Sequence, residues 1–179
     1  MLVIVLSMIT IEQRPSIQLD PTAKLVSESR SDSSRIMDAA DQNIFGKVSG
    51  TTIFDIMDKV GGECAIHHSG CPCVTAYSDA ISFRRPVNVG DKLHAEAHLT
   101  YVGDTSMEAR IRLERENIFT GEREHSHTGY IVFVALGKDG KPTKVPRLIP
   151  ETAEEQREFD RGEQRERERK NRRNCGDFE

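Results

Sequence analysis

Ser49-Gly50-Thr51-Thr52-Ile53-Phe54-Asp55-Ile56-Met57-Asp58-Lys59-Val60-Gly61-Gly62-Glu63-Cys64-Ala65-Ile66-His67-His68 is the stretch on which the fold turns. Ile53, Ile56, Met57, Val60, Cys64 and Ala65 recur at intervals of one, three and four. That spacing predicts an amphipathic helix of about five turns. Gly61 and Gly62 each cost about 1 kcal/mol relative to alanine inside a helix. Their presence implies a close neighbour, such as a sheet wrapped tightly around the helix.

Downstream, a turn at Ser69 to Cys73 leads into four segments with strand character: Val74 to Phe83, Lys92 to Val102, Ser106 to Asn117 and His125 to Leu136. Hairpin chemistry joins most of them, at Val102-Gly103-Asp104-Thr105 and Asn117-Ile118-Phe119-Thr120-Gly121, with a longer link over 86–91. One buried helix followed by an antiparallel meander is an α+β arrangement, and the alternation that a parallel sheet demands is missing. Upstream, residues 1–26 carry little periodicity and hold Pro15 and Pro21, so the ordered domain is expected to begin near Leu25, with Ser27 to Met37 as a polar-rich first strand. The domain is therefore expected over 27–150, preceded by an extension over 1–26 and followed by a charged tail over 151–179. From Glu151 to Arg173 the tail holds Phe159 as nearly its only large apolar residue. It is expected to be a solvated helix or to fray, with pairs such as Glu154 with Arg157 and Glu163 with Arg167 favouring the helix.

With 179 residues, 36% hydrophobic and 30% charged, the chain suits one core. A net charge of −4 supplies no broad footprint for nucleic acid, and the arginines of the tail alternate with glutamates without interleaved aromatics. The apolar run Met1 to Met8 lacks a basic stretch before it and a cleavage pattern after it, and is too short to span a bilayer. It is read as a tail or an added edge strand, which predicts a cytoplasmic protein without a membrane partner. Cys64, Cys71, Cys73 and Cys175 are then reduced thiols. His67, His68, Cys71 and Cys73 fall within one turn and lack the two separated ligand pairs of a structural zinc site, so no metal is expected. The chain also contains no Gly-x-Ser-x-Gly elbow, no His-Glu-x-x-His and no phosphate loop.

The block Asn43-Ile44-Phe45-Gly46-Lys47-Val48-Ser49-Gly50-Thr51 precedes the helix that carries Asp55 and Asp58. Gly46 and Gly50 permit a tight turn and close backbone approach, and the helix N-terminus offers unpaired N–H groups suited to the oxyanion of an attacked thioester carbonyl. Asp58 stands among Ile56, Met57 and Val60, where an isolated carboxylate is costly without a task or a partner. Asn43 can position a carbonyl or a water, or simply shape its loop.

These residues resemble the cytosolic acyl-CoA hydrolases of the hotdog superfamily. Asn43, Gly46, Gly50, Met57 and Asp58 keep the family spacing; Thr75, Asp79, Phe83, Pro86 and Gly90-Asp91 match its second block. Gly103 with Thr105-Ser106-Met107-Glu108, and the segments Phe133 to Leu136, Gly140 to Pro142, Val145-Pro146 and Pro150 to Thr152, match the rest. The resemblance implies a helix wrapped by an antiparallel sheet, dimers joined edge to edge, and three dimers in a hexamer. It implies hydrolysis of acyl-CoA to fatty acid and CoA, with CoA part of the substrate and no cofactor. Asp58 would be the general base, or alternatively a nucleophile, facing Asn43 of the other subunit, with Thr75 as a third polar contact. Gly50 or Thr51 would take the oxyanion, and Ser106, Arg84 and Arg85 would contact substrate, with Lys141 and the tail arginines as further candidates for its phosphates. The family's Phe-Gly-Gly is Ser49-Gly50-Thr51 here, so Thr51 narrows the approach to the backbone. A non-catalytic acyl-CoA sensor is the alternative from another class. A hotdog dehydratase is a second enzymatic one, but His67 and His68 sit near the helix end, away from the loop position that such a mechanism needs.

Overall fold

The computed structural model describes residues 23–174; Met1 to Met8, nearly all of the N-terminal extension and Cys175 lie outside them. The central helix, α1, runs Gly50–Ser69. Ser49 caps it by accepting the Thr52 N–H at 3.1 Å. Gly70, at φ +68°, ends it in the left-handed conformation and returns its N–H to Ile66 O at 2.8 Å. Ile53, Met57, Val60, Cys64 and Ala65 are buried as their spacing requires, whereas Ile56 lies at the margin of the core.

The described residues form eight strands: β1 (Lys24–Leu25), β2 (Ser31–Ile36), β3 (Cys73–Ser78), β4 (Ser82–Phe83), β5 (Lys92–Val102), β6 (Ser106–Glu116), β7 (Arg123–Ala135) and β8 (Leu148–Ile149). The main sheet has the order β2-β5-β6-β7-β3, antiparallel throughout, with β4 also beside β7 and with β1 and β8 forming a separate parallel pair. Strand alternation turns Leu93, Ala95, Ala97 and Leu99, then Met107, Ala109, Ile111 and Leu113, then Ile131 and Phe133, onto α1, and all are buried. This is the expected α+β hotdog arrangement. At Gly61 a Cβ would stand 3.0 Å from the Phe133 ring and 3.1 Å from Ile111 Cδ1, so this glycine admits the sheet; at Gly62 the nearest atom is an ordinary 3.5 Å away.

Three expectations need correction. The segment from Ser27 is not strand throughout: Val26–Ser29 is a 3₁₀ turn, and strand begins at Ser31. The cause is tertiary. Buried His68 accepts from the Ser29 hydroxyl at Nδ1 (2.7 Å) and donates from Nε2 to Pro146 O (2.9 Å), while Cys64 Sγ bonds Ser29 O. The stretch from Val74 to Phe83 is two strands, because a bulge between Thr75 and Tyr77 shifts the register on β7 and the chain leaves the ladder before Ser82.

The tail is a helix, α2 (Ala153–Asn174), but not a solvated one on every side. It docks on the outer face of the sheet. Buried Glu108 accepts from Arg165 Nη2, Arg169 Nη1 and Thr100 Oγ1, each at 2.7 Å, and Arg169 also pairs with Asp79. Arg165 lies over the Tyr130 ring at 4.1 Å, and the Phe159 and Tyr101 rings are 5.2 Å apart. Gly162 marks the closest approach: a Cβ there would stand 2.6 Å from Tyr101 Cβ. A run of charge reads as solvated because sequence alone does not reveal that Glu108, on an outward-facing strand position, awaits two of its arginines.

Candidate active site

The loop before α1 is closed by Asn43. Its Oδ1 accepts from Phe45 N at 2.9 Å and Lys47 N at 3.2 Å, and Gly46, at φ +74°, completes the turn. The side-chain oxygen therefore shapes the loop, and the amide NH₂ takes no part in it. Ile44 and Phe45 project from this loop, 93% and 81% exposed. Ser49 N–H bonds Asp41 O at 2.7 Å, and the cap takes Thr52 N–H, which leaves the N–H groups of Gly50 and Thr51 open at the positive end of α1. The Phe83 ring lies across Gly50, 3.8 Å from where a Cβ would stand.

Asp58 sits two turns further along the helix, half-exposed, and its Oδ1 accepts from Thr75 Oγ1 at 2.5 Å. Thr75 lies on β3, which pairs with β7 alone among the described residues and so presents a free edge. Asp55, by contrast, is tied outward to Lys59 at 2.8 Å. Arg84 and Arg85 follow β4; Arg85 pairs with Glu124 at 3.3 Å, and both arginines border the α1 N-terminus. Ser106 stands apart. It opens β6 opposite Val134, and alternation turns it to the same outer face as Glu108, away from α1. Lys141 lies in the exposed turn after β7, and Arg165 and Arg169 of the tail are engaged by Glu108.

A cavity of about 400 Å³ opens beside the α1 N-terminus, with Gly50, Ile53, Phe83, Arg84, Arg85 and His127 among its walls. Sequence reasoning passed over His127. The signal was there: on β7 the inward positions after it are Gly129, Ile131, Phe133 and Ala135, so His127 is a polar exception in an apolar series. Burial, with His125 nearby, pushes its pKa down to about 4, so the ring is neutral. Among the described residues no three His, Cys, Asp or Glu side chains come together in a way that would hold a metal, and no helix is long and apolar enough to cross a membrane.

The thioesterase superfamily profile matches residues 45–120. YkhA of Bacillus subtilis, named as an uncharacterised acyl-CoA thioester hydrolase, is 37% identical over 132 residues, covering 74% of this chain and 77% of that protein. The acyl-CoA hydrolase of Staphylococcus aureus, solved with butyryl-CoA, CoA and CoA disulfide, superposes with a TM-score of 0.80 at 32% identity, covering 87% of this chain and 94% of that one. An apo-hexameric acyl-CoA thioesterase also gives 0.80 at 32% identity, covering 84% and 97%. The chain belongs to the acyl-CoA thioester hydrolases of the hotdog thioesterase superfamily. Variant structures of the staphylococcal hydrolase replace an asparagine, an aspartate and a threonine that lie fifteen and then seventeen residues apart. Asn43, Asp58 and Thr75 repeat those two intervals.

Proposed function

We propose that this protein hydrolyses acyl-CoA thioesters at sites built from two copies of the chain. The observation that carries the reading is the pairing of Asp58 with Thr75 on the free edge of β3, in a spacing shared with the three residues altered in the staphylococcal enzyme. Within one copy, the eight residue steps from Gly50 to Asp58 rise about 12 Å along the helix, too far for both to act on one carbonyl. Edge-to-edge joining of two copies through β3 brings Asp58 of one to the Asn43 loop and α1 N-terminus of the other. The hexameric neighbour supports a trimer of such dimers.

In this mechanism Asp58 takes a proton from water, and the hydroxide attacks the thioester carbonyl carbon. The N–H groups of Gly50 and Thr51 receive the oxyanion, and the Asn43 amide orients the thioester or the water. Collapse of the intermediate breaks the carbon–sulfur bond; the CoA thiolate takes the proton from Asp58 and the fatty acid leaves. Thr75 holds the carboxylate in place. Arg84 and Arg85, at the rim, would meet the CoA phosphates.

The test is free-thiol release from esters ranging from acetyl-CoA to palmitoyl-CoA. Asp58→Ala and Asn43→Ala, each checked for intact assembly, are expected to lose about a hundredfold or more in kcat. Subunits of the two variants, mixed and reassembled, are expected to regain about a quarter of wild-type turnover, because half the dimers then hold one intact site. No recovery on mixing would place both residues in a site within one chain. Tight binding without wild-type turnover would favour the sensor.

A further inference from the structure

His127 is 3% exposed, yet its Nδ1 is buried without a hydrogen-bond partner, and among the described residues no group bonds its Nε2. Its ring stands edge-on to Phe83, with centroids 5.1 Å apart. Leaving a buried imidazole unpaired costs the fold free energy that an apolar side chain would not. Apolar residues occupy the equivalent positions further along β7. What distinguishes this position is the cavity, which His127 shares with the open N–H of Gly50. An acyl group that enters this cavity with its thioester carbonyl at Gly50 has Ile53, Phe83 and the histidine as walls. The neutral ring has one N–H to donate and one lone pair to accept.

We infer that this cavity selects acyl groups bearing an oxygen substituent, a hydroxyl or keto group a few bonds from the thioester, with His127 as its hydrogen-bonding partner. The inference rests on the proposed acyl-CoA reading and adds the chemical class of the acyl chain. An unsubstituted chain of the same length fills the space but leaves the imidazole unpaired, so the site distinguishes the two by the loss of one buried hydrogen bond.

The experiment compares butyryl-CoA with 3-hydroxybutyryl-CoA. Kd is measured by calorimetry in an Asp58→Asn background, where turnover does not interfere, and kcat/KM in the parent chain. The hydroxylated ester is expected to be favoured by about tenfold in both. With His127→Leu the preference is expected to fall to near one, and with His127→Gln, which keeps a donor and an acceptor, to persist in part. A parent preference near one overturns the inference without reference to any variant. So does a preference that survives His127→Leu, or a loss shared equally by both esters, which would mean that the ring touches the part of the substrate common to them. Binding preference without turnover supports the subsite while removing the hydrolytic reading; turnover without preference does the reverse.

Discussion

Thr75 does for Asp58 what the interior of a protein usually does for a buried carboxylate: it supplies a fixed donor, here at 2.5 Å, on a side chain otherwise open to the sheet edge. Replacing it with valine keeps the shape and removes the hydroxyl. Thr75→Val is expected to lower kcat about tenfold with little change in KM, because an orienting hydrogen bond to a charged group is worth about 1.5 kcal/mol. Thr75→Ser is expected to restore most of the rate; a valine variant at full speed would mean that Asp58 needs no such support. At this scale the family resemblance singled out Asn43, Asp58 and Thr75, but the sequence did not reveal which atoms are committed. That Asn43 spends its oxygen on its own loop, and that Ser106 turns to the far face, depend on a turn and a strand parity visible only in three dimensions. His127 went unnoticed because a histidine within an alternating strand looks like a surface residue until the inward parity is known.

Among the elements, α1 was the most legible, since its apolar stripe, serine cap and terminal glycine all speak locally. Its paired glycines separate two effects that sequence merges. Gly62→Ala has only ordinary contact to meet, so the helix-propensity gain is expected to leave stability unchanged or raise it by up to about 1 kcal/mol. Gly61→Ala drives a methyl into Phe133 and Ile111, both buried, and overpacking of about 1–3 kcal/mol is expected to outweigh that gain. Denaturant melts of the two variants would check this, and equal effects would contradict the close approach of the sheet. The first strand and the tail were less legible for one shared reason. Val26–Ser29 takes its 3₁₀ turn from His68 and Cys64, and α2 takes its seat from Glu108, so each is set by partners far along the chain.

For the whole molecule, two buried and two half-buried histidines make stability depend on acidity. Burial lowers the pKa of His68, His98, His125 and His127, the last to about 4 against an ordinary 6.5. A lowered histidine pKa contributes stability that is fully present above about 6.5 and is lost as pH falls towards the folded value, since the unfolded chain then binds more protons. His127 alone accounts for about 3 kcal/mol across that interval. Burial would raise the pKa of Glu108, but its bonds from Arg165 and Thr100 outweigh this and lower it, so its contribution persists above about 4.5 and falls away below. Tm is therefore expected to decline steadily from pH 6.5 to 4, and less steeply in His127→Gln; a flat profile would mean that these rings charge freely in the folded state. The architecture as a whole was readable because helix period and strand period change cleanly at Cys73, whereas the proposed two-copy site was suggested only by resemblance, since no pattern within one chain records what meets its free edge. The notch at Gly162 also acts as a key. Long charged side chains by themselves would let α2 settle at several positions along the sheet, but sliding it by one turn would bring Glu158 or Glu166 to the point where Tyr101 leaves room for a hydrogen atom alone. Charge fastens the helix, and one missing side chain decides where.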